Sequence, residues 1–310
     1  MRTKALILLV AAIAIVGCKK KSGPSGWSSG TAGLMANIDE DGFADDYELS
    51  TTADLNAIAC RQDGEAWVVG SRGTVLYTND NGERWIERAL DARADLYAAA
   101  TQDDGPVFLA GDGVFMTGVP SFETGEATWT QLGDGVTKFR SVAAAQRGST
   151  VLAVSDDGGL WSFENGALVR RATVDGARAV AVSPDGNTVL LVGAGMSLSA
   201  DAGNTWSALD LVASTQLVDA RIDDRGEGLA VGDGGLVARL AYDGQVVTQN
   251  LGNADLKTMF VPWSGDDRAG YAAGDGGQVW ITHDTGWTWE MGPNLGRTVL
   301  GIDVIGDGHR

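Results

Sequence analysis

Gly70-Ser71-Arg72-Gly73-Thr74-Val75-Leu76-Tyr77-Thr78-Asn79-Asp80-Asn81-Gly82-Glu83-Arg84-Trp85 sets a short β-forming run between two glycine turns. Val75-Leu76-Tyr77 is too brief for a helix and is built from the branched and aromatic side chains that favour strands. The unit returns as Gly274-Asp275-Gly276-Gly277-Gln278-Val279-Trp280-Ile281-Thr282-His283-Asp284-Thr285-Gly286-Trp287-Thr288-Trp289. Its second half also returns, as Ser199-Ala200-Asp201-Ala202-Gly203-Asn204-Thr205-Trp206. Reduced copies keep only the glycine hairpin, at Gly111-Asp112-Gly113, Asp157-Gly158-Gly159 and Gly232-Asp233-Gly234-Gly235. Taken as equivalent points, Gly73, Gly113, Gly159, Gly195, Gly235 and Gly277 stand 40, 46, 36, 40 and 42 residues apart.

A period of about 40 residues is the length of one four-stranded propeller blade. Composition agrees, since 44 glycines beside 6 prolines imply many tight turns between brief strands. Leu55–Cys60, Ser141–Ala145, Ala179–Val182 and Lys257–Val261 read as innermost strands, whose small residues let them converge on an axis. Trp67–Gly70, Val107–Ala110, Val151–Val154, Val189–Val192 and Gly228–Val231 read as second strands, each running into a glycine turn where positive φ is expected. Thr298–Ile305 reads as one more inner strand with no partners before Arg310. The expected class is therefore all-β, a β-propeller of six to seven four-stranded blades over residues 55–310.

The thrice-repeated pattern Ser/Thr-x-Asp-x-Gly-x-x-Trp resembles the Asp box of bacterial-neuraminidase-type (BNR) repeats. With the preceding Gly-x-x-Gly-x-Val, the chain from Leu55 to Asn294 is similar to the propellers of the photosystem II assembly factor family. The residues give such a box a structural task. Asp80, Asp201 and Asp284 can accept turn amides, Gly82, Gly203 and Gly286 take a conformation other residues resist, and Trp85, Trp206 and Trp289 pack between blades.

The N-terminus speaks to compartment. Met1–Lys4 is basic, Ala5–Val16 is continuously apolar, and Gly17-Cys18 follows at once. The run is shorter than the roughly 18–20 residues of a bilayer span, so it reads as an export signal over 1–17. Ile15-Val16-Gly17-Cys18 resembles the lipobox of bacterial lipoproteins, which implies cleavage before Cys18 and its acylation; the competing reading is an ordinary signal peptide carrying a cysteine. Acyl chains hold a protein on a membrane. Residues 18–36, with Lys19, Lys20, Lys21 and a Gly/Ser-rich stretch, are expected to form a lipid-anchored flexible linker. Lys19 rather than Asp after the cysteine points to the outer membrane by resemblance to enterobacterial sorting. Removing residues 1–17 takes away Arg2 and Lys4 and moves the net charge from −18 to −20, which argues against a nucleic-acid partner. Cys60 lies in an apolar stretch and reads as a small core residue.

Between linker and propeller, residues 37–48 fit the spacing of an EF-hand-like calcium loop. Asn37, Asp39, Asp41 and Asp45 offer side-chain oxygens, Phe43 its carbonyl, Glu48 a bidentate carboxylate, and Gly42 the sharp turn. The stretch also resembles the Asp-rich calcium repeats of thrombospondin type 3. It departs from the loop pattern in starting with Asn and in occurring once, and the competing reading is an acidic linker. Calcium is the only cofactor this sequence suggests.

No catalytic residues are expected. Sialidases carry Asp boxes, but their chemistry needs an arginine triad, a Tyr nucleophile with a Glu partner, and an acid/base Asp. Phe139-Arg140 is followed by Ser141-Val142 and lies in the third repeat, and the two histidines, His283 and His309, provide no Ser/His/Asp layout. The expected function is non-catalytic binding of an envelope protein partner, as the assembly-factor resemblance implies. Glycan or peptidoglycan recognition is the alternative, and sialidase-like hydrolysis a remote one. The acidic pairs Asp103-Asp104, Asp156-Asp157, Asp223-Asp224 and Asp266-Asp267 read as solubilising turns or as an acidic docking face.

Overall fold

The computed structural model describes residues 25–39, 44–61, 64–88, 90, 93–121, 127–211, 216–262 and 269–305. The expected signal 1–17, Cys18 and linker residues up to 24 lie outside the described residues, as do Asp41, Phe43 and His309.

The chain begins with β1 (Ser25–Gly30), β2 (Leu34–Ile38) and β3 (Ala44–Asp46). Six blades follow in sequence order. The first comprises β4 (Leu55–Cys60), β5 (Ala66–Gly70), β6 (Val75–Thr78) and β7 (Ile86–Glu87). The second comprises β8 (Leu96–Thr101), β9 (Val107–Gly111), β10 (Phe115–Gly118) and β11 (Thr130–Gln131). The third comprises β12 (Phe139–Ala144), β13 (Val151–Ser155), β14 (Gly159–Glu164) and β15 (Ala167–Thr173). The fourth comprises β16 (Ala177–Val182), β17 (Val189–Gly193), β18 (Met196–Ser199) and β19 (Ser207–Leu209). The fifth comprises β20 (Leu217–Ile222), β21 (Gly228–Gly232), β22 (Leu236–Leu240) and β23 (Val246–Asn250). The sixth comprises β24 (Leu256–Phe260), β25 (Gly270–Gly274), β26 (Gln278–Thr282) and β27 (Glu290–Asn294). The chain's last described strand is β28 (Val299–Ile305).

The inner strand left without partners in the sequence reading finds them at the other end of the chain. The seventh sheet runs β28-β1-β2-β3, with β1 pairing antiparallel to both neighbours. β28 packs against both β24 and β4, so the inner strands close into a ring of seven four-stranded antiparallel blades. This corrects two sequence expectations. Residues 25–36 are not linker, because Ser25–Gly30 completes a sheet whose two flanking strands would otherwise be open edges. The propeller starts at Ser25 and not at residue 55. Trp27 explains why so polar a strand is held. Its indole is 5% exposed and meets Trp85 and Tyr47 edge-on, with ring centroids 5.5 and 6.0 Å away.

The expected calcium loop lies partly outside the described residues, which omit 40–43, and its described ends fall on strands. An EF-hand flanks its loop with helices, whereas here Asn37 ends in strand β2 and stands directly opposite Asp45 of β3. The Asn37 amide donates to the Gly26 carbonyl at 3.3 Å, and β2 and β3 pair across Asn37 and Asp45. Among the described residues no group of three or more His, Cys, Asp or Glu side chains is placed to hold a metal.

The second strands β5, β9, β13, β17, β21 and β25 are buried along their whole length, which is why they read as unbroken apolar runs. The glycine ending most of them serves a purpose other than positive φ. Gly70 is extended at φ −161°, and a Cβ there would lie 2.1 Å from the Asp54 carbonyl oxygen. Left-handed backbone comes two residues later, at Arg72 and Gly73.

All inner strands run the same way, so the disc has an N face, where they begin, and a C face, where they end. The Ser/Thr-x-Asp-x-Gly-x-x-Trp turns lie on the C face, between third and fourth strands. Thr78, Ser199 and Thr282 hydroxyls each donate to their Asp at 2.8 Å and accept the amide of Gly82, Gly203 and Gly286 at 3.1, 2.9 and 2.9 Å. Asp80, Asp201 and Asp284 then accept the amides of Arg84, Thr205 and Thr288. Each turn glycine abuts the preceding blade: Gly82 faces Trp27, Gly203 faces Leu152 and Gly286 faces Leu229. Trp85, Trp206 and Trp289 pack at those same junctions.

Candidate functional site

The inner strands enclose a cavity of about 990 Å³, lined from every blade and by alanine or valine from the first six. Small side chains are what allow seven strands to approach one axis. Polar side chains in this wall are spent on joining blades. Asn56 donates to the Leu96 carbonyl at 2.7 Å, Ser141 accepts the Val180 amide at 3.2 Å, and Thr258 accepts the Ile302 amide at 3.1 Å. Asp219 accepts the Met259 amide and Asp303 the Cys60 amide, both at 2.9 Å. Each bond runs from one inner strand to the next, and the Asp303 bond crosses the closure between the seventh and first blades.

A second regularity belongs to the N face. In every blade the pairing of inner and second strand skips one residue, the second of the inner strand. The bulged residues are Asn56, Tyr97, Arg140, Arg178, Val218, Lys257 and Leu300, and all but Arg178 line the cavity. A bulge frees a side chain from the ladder and re-aims it, and seven in register place seven side chains around one mouth. The glycine contact described above belongs to the same device: a bulged inner strand brings its preceding carbonyl onto the second strand, and only a residue without Cβ fits. In the third blade Ser155 stands there instead, with a hairpin of different shape at Asp156–Gly159.

Electrostatics around the mouth are uneven. Arg140 forms an ion pair with Asp156, and Arg178 reaches the same carboxylate at 3.6 Å. Lys138 lies over the Tyr97 ring, 4.8 Å from its centroid. The Asp156 carboxyl is held below the usual carboxylate range, chiefly by the Arg140 hydrogen bond against some desolvation, and then by the charges of Arg140, Lys138 and Arg178. Three cations thus surround one carboxylate on a chain of net charge −18. Across the mouth, Lys257 is committed to Asp255 at 3.1 Å and Asp275 at 3.5 Å.

The C face carries different chemistry. Asp224 accepts from Arg147 at 2.7 Å and from the Asp185 amide at 2.9 Å, while Asp223 pairs with Arg225 at 3.0 Å. Beneath this face Glu65 bridges the Arg61 guanidinium at 3.1 Å and the Tyr77 hydroxyl at 2.6 Å, all three buried, and burial with Glu65 nearby pushes the Tyr77 phenol up. Cys60 is buried as expected of a core residue, and burial pushes its thiol up.

No catalytic set assembles among these groups. Arg140, Arg147, Arg221 and Arg225 line the cavity, but each is paired with its own aspartate and they are divided between the two ends. No glutamate lines it among the described residues, so a Tyr–Glu nucleophile couple lacks its base. His283 sits on the outer part of the sixth blade, 3.4 Å from Glu290. Asp103 and Asp223 to Asp224 occupy C-face turns between first and second strands, whereas Asp156 and Asp157 belong to the N face.

The mouth residues could not be picked from the sequence, because a bulge is a property of register. The Asp turns could, and the structure brings each with its Trp to a blade junction. Asn37 and Asp45 are brought together as strand partners, Asp39 follows β2 and Glu48 follows β3.

No family model and no curated protein sequence matches the chain. Solved structures do. It is similar to YCF48 bound to D1 peptide, at 17% identity and a TM-score of 0.61 over 79% of this chain and 82% of that one. The WD40 β-propeller domain of Doa1 matches at 14% identity and a TM-score of 0.61, covering 90% of each chain. YCF48 from Cyanidioschyzon merolae matches at 18% identity and a TM-score of 0.60 over 81% of this chain and 88% of that one. At these identities the likeness establishes the seven-bladed propeller fold.

Proposed function

We propose that the chain is an exported, lipid-anchored, non-catalytic propeller that captures a segment of an envelope protein partner across the N-face mouth. The observation that carries this reading is the ring of seven bulged residues, with Lys138, Arg140 and Arg178 gathered around Asp156 on a strongly acidic protein. A rigid scaffold presenting re-aimed side chains around a concave opening is what binding surfaces use. The arginines favour a segment bearing carboxylates, since guanidinium groups grip them in a bidentate fork. The solved YCF48 carrying a D1 peptide supports the idea that a propeller of this shape can hold a peptide. Export, acylation of Cys18 and the outer membrane as destination rest on the Ile15-Val16-Gly17-Cys18 pattern and on Lys19. Glycan recognition would call for stacking aromatics at the mouth, and the bulged ring supplies only Tyr97, already covered by Lys138.

Crosslinking in the native envelope, read by mass spectrometry, tests the reading. A partner should crosslink through N-face residues, and the double change Arg140→Glu and Arg178→Glu should reduce its yield at least tenfold in a folded protein. Undiminished capture by that variant refutes the mouth as the site.

A further inference from the structure

Where the chain enters the disc determines how the disc can stand on a membrane. Ser25 pairs with Ile305, at the end of β28, and Gly30 pairs with Val299 at its beginning. The polypeptide therefore enters the propeller from the C face, on the second strand of the closing blade and near the axis. Six residues separate Cys18 from Ser25, a reach of at most about 25 Å even fully extended.

That reach decides between orientations. To lay the N face on the bilayer, those residues would have to pass outward over β2 and β3 and then along the side of the disc. Two strand spacings and a layer of side chains come to about 15 Å, and a five-residue strand adds about 17 Å. The path of about 32 Å exceeds the tether. With the C face toward the lipid, no detour is needed, and the point of attachment lies close to the axis.

We propose that the C face is the side of the disc turned toward the lipid bilayer that anchors it, and that the bulged mouth of the N face is held facing away. This rests on the reading of Cys18 as the acylated residue. It makes the mouth accessible to partners across the periplasmic space and closed to segments lying in the protein's own bilayer. The C face is rich in carboxylates, among them Asp80, Asp185, Asp201, Asp223 and Asp224. With Asp185 and Asp201 in no ion pair with a described residue, the C face keeps negative charge that disfavours close contact with anionic headgroups, so the disc stands off the surface.

The test uses the full-length acylated protein in vesicles of phosphatidylethanolamine and phosphatidylglycerol doped with a headgroup-attached quencher. One fluorophore is placed by Val136→Cys, 81% exposed on the N face, and another by Tyr242→Cys, 76% exposed on the C face; Cys60 is buried and stays unlabelled. Quenching at position 242 should exceed that at 136 at least twofold. Equal quenching, as for a disc on its edge, or stronger quenching at 136, overturns the orientation while leaving the anchor intact. Labelled palmitate should enter the chain and be lost on Cys18→Ser. Failure of the unaltered chain to take up palmitate overturns the anchor and the orientation together, so the two failures are distinguishable.

Discussion

Trp27→Ala separates a strand from a tether more cleanly than any other single change. Were residues 18–36 a linker, removing this indole would alter stability by no more than about 0.5 kcal/mol, as surface changes do. In the closed ring Trp27 is 5% exposed, between Tyr47 of its own blade and Trp85 of the first, with the Gly82 turn pressed against its six-membered ring. Truncating a buried aromatic side chain costs about 3–5 kcal/mol. One term runs the other way. The Trp27 Nε1 is buried without a hydrogen-bond partner, and removing an unsatisfied donor returns about 1 kcal/mol or more.

The expected net loss is about 2–3 kcal/mol, equivalent for a protein of this size to a fall in Tm of about 3–5 °C. Scanning calorimetry of a soluble form beginning at residue 19, at one scan rate for all variants, measures it. Trp27→Phe, which keeps a ring against Trp85, should recover at least half of the loss. A Trp27→Ala protein that melts within 1 °C of the parent, with the same heat, would refute closure of the ring by the N-terminal strand.

Glu65→Ala should lower the urea midpoint by the equivalent of about 3–5 kcal/mol, because it leaves the buried Arg61 guanidinium without its carboxylate; an unchanged midpoint would place this pair in solvent. Acid should destabilise the fold in a defined window. The Ser155 and Arg170 hydrogen bonds hold Asp157 down at about 2, and the Thr205 amide and hydroxyl hold Asp201 there too. Folded carboxyls below the unfolded value of about 3.9 add stability that is complete above it and is lost as pH falls toward 2. Melting temperature should therefore be flat from pH 7 to about 4.5 and drop between 4 and 2, with a shallower drop in Asp201→Asn; identical acid slopes for the two proteins would contradict the turn geometry.

What was legible in the sequence was what is local. An Asp turn is closed by groups within seven residues of one another, from Thr78 to Arg84, so its pattern survives in the order of residues. The second strands were legible because burial on both faces leaves a run of apolar residues whatever the neighbours are. Ser25-Gly26-Trp27-Ser28-Ser29-Gly30 carries no such mark. It is a strand because β28 and β2 take up its backbone groups and Trp85 offers its one large side chain a place, and those partners come from distant parts of the chain. The acidic residue ahead of an inner strand was equally silent: Asp54, Asp95 and Asp255 accept the amides of Ala32, Arg72 and Gly234 in the turn of the preceding blade. The mouth was least legible of all. A bulge asks nothing of the side chain it expels, and the seven positions hold Asn, Tyr, Arg, Arg, Val, Lys and Leu. What it asks is that the second strand end in a residue without Cβ where the carbonyl comes close, as at Gly70, Gly111, Gly193, Gly232 and Gly274. The cue to the mouth was therefore written on the neighbouring strand, in glycines that a sequence reading assigns to turns. What stands at each expelled position is set by what the side chain meets there: Asn56 joins two inner strands, Arg140 pairs with Asp156 and Lys257 with Asp255.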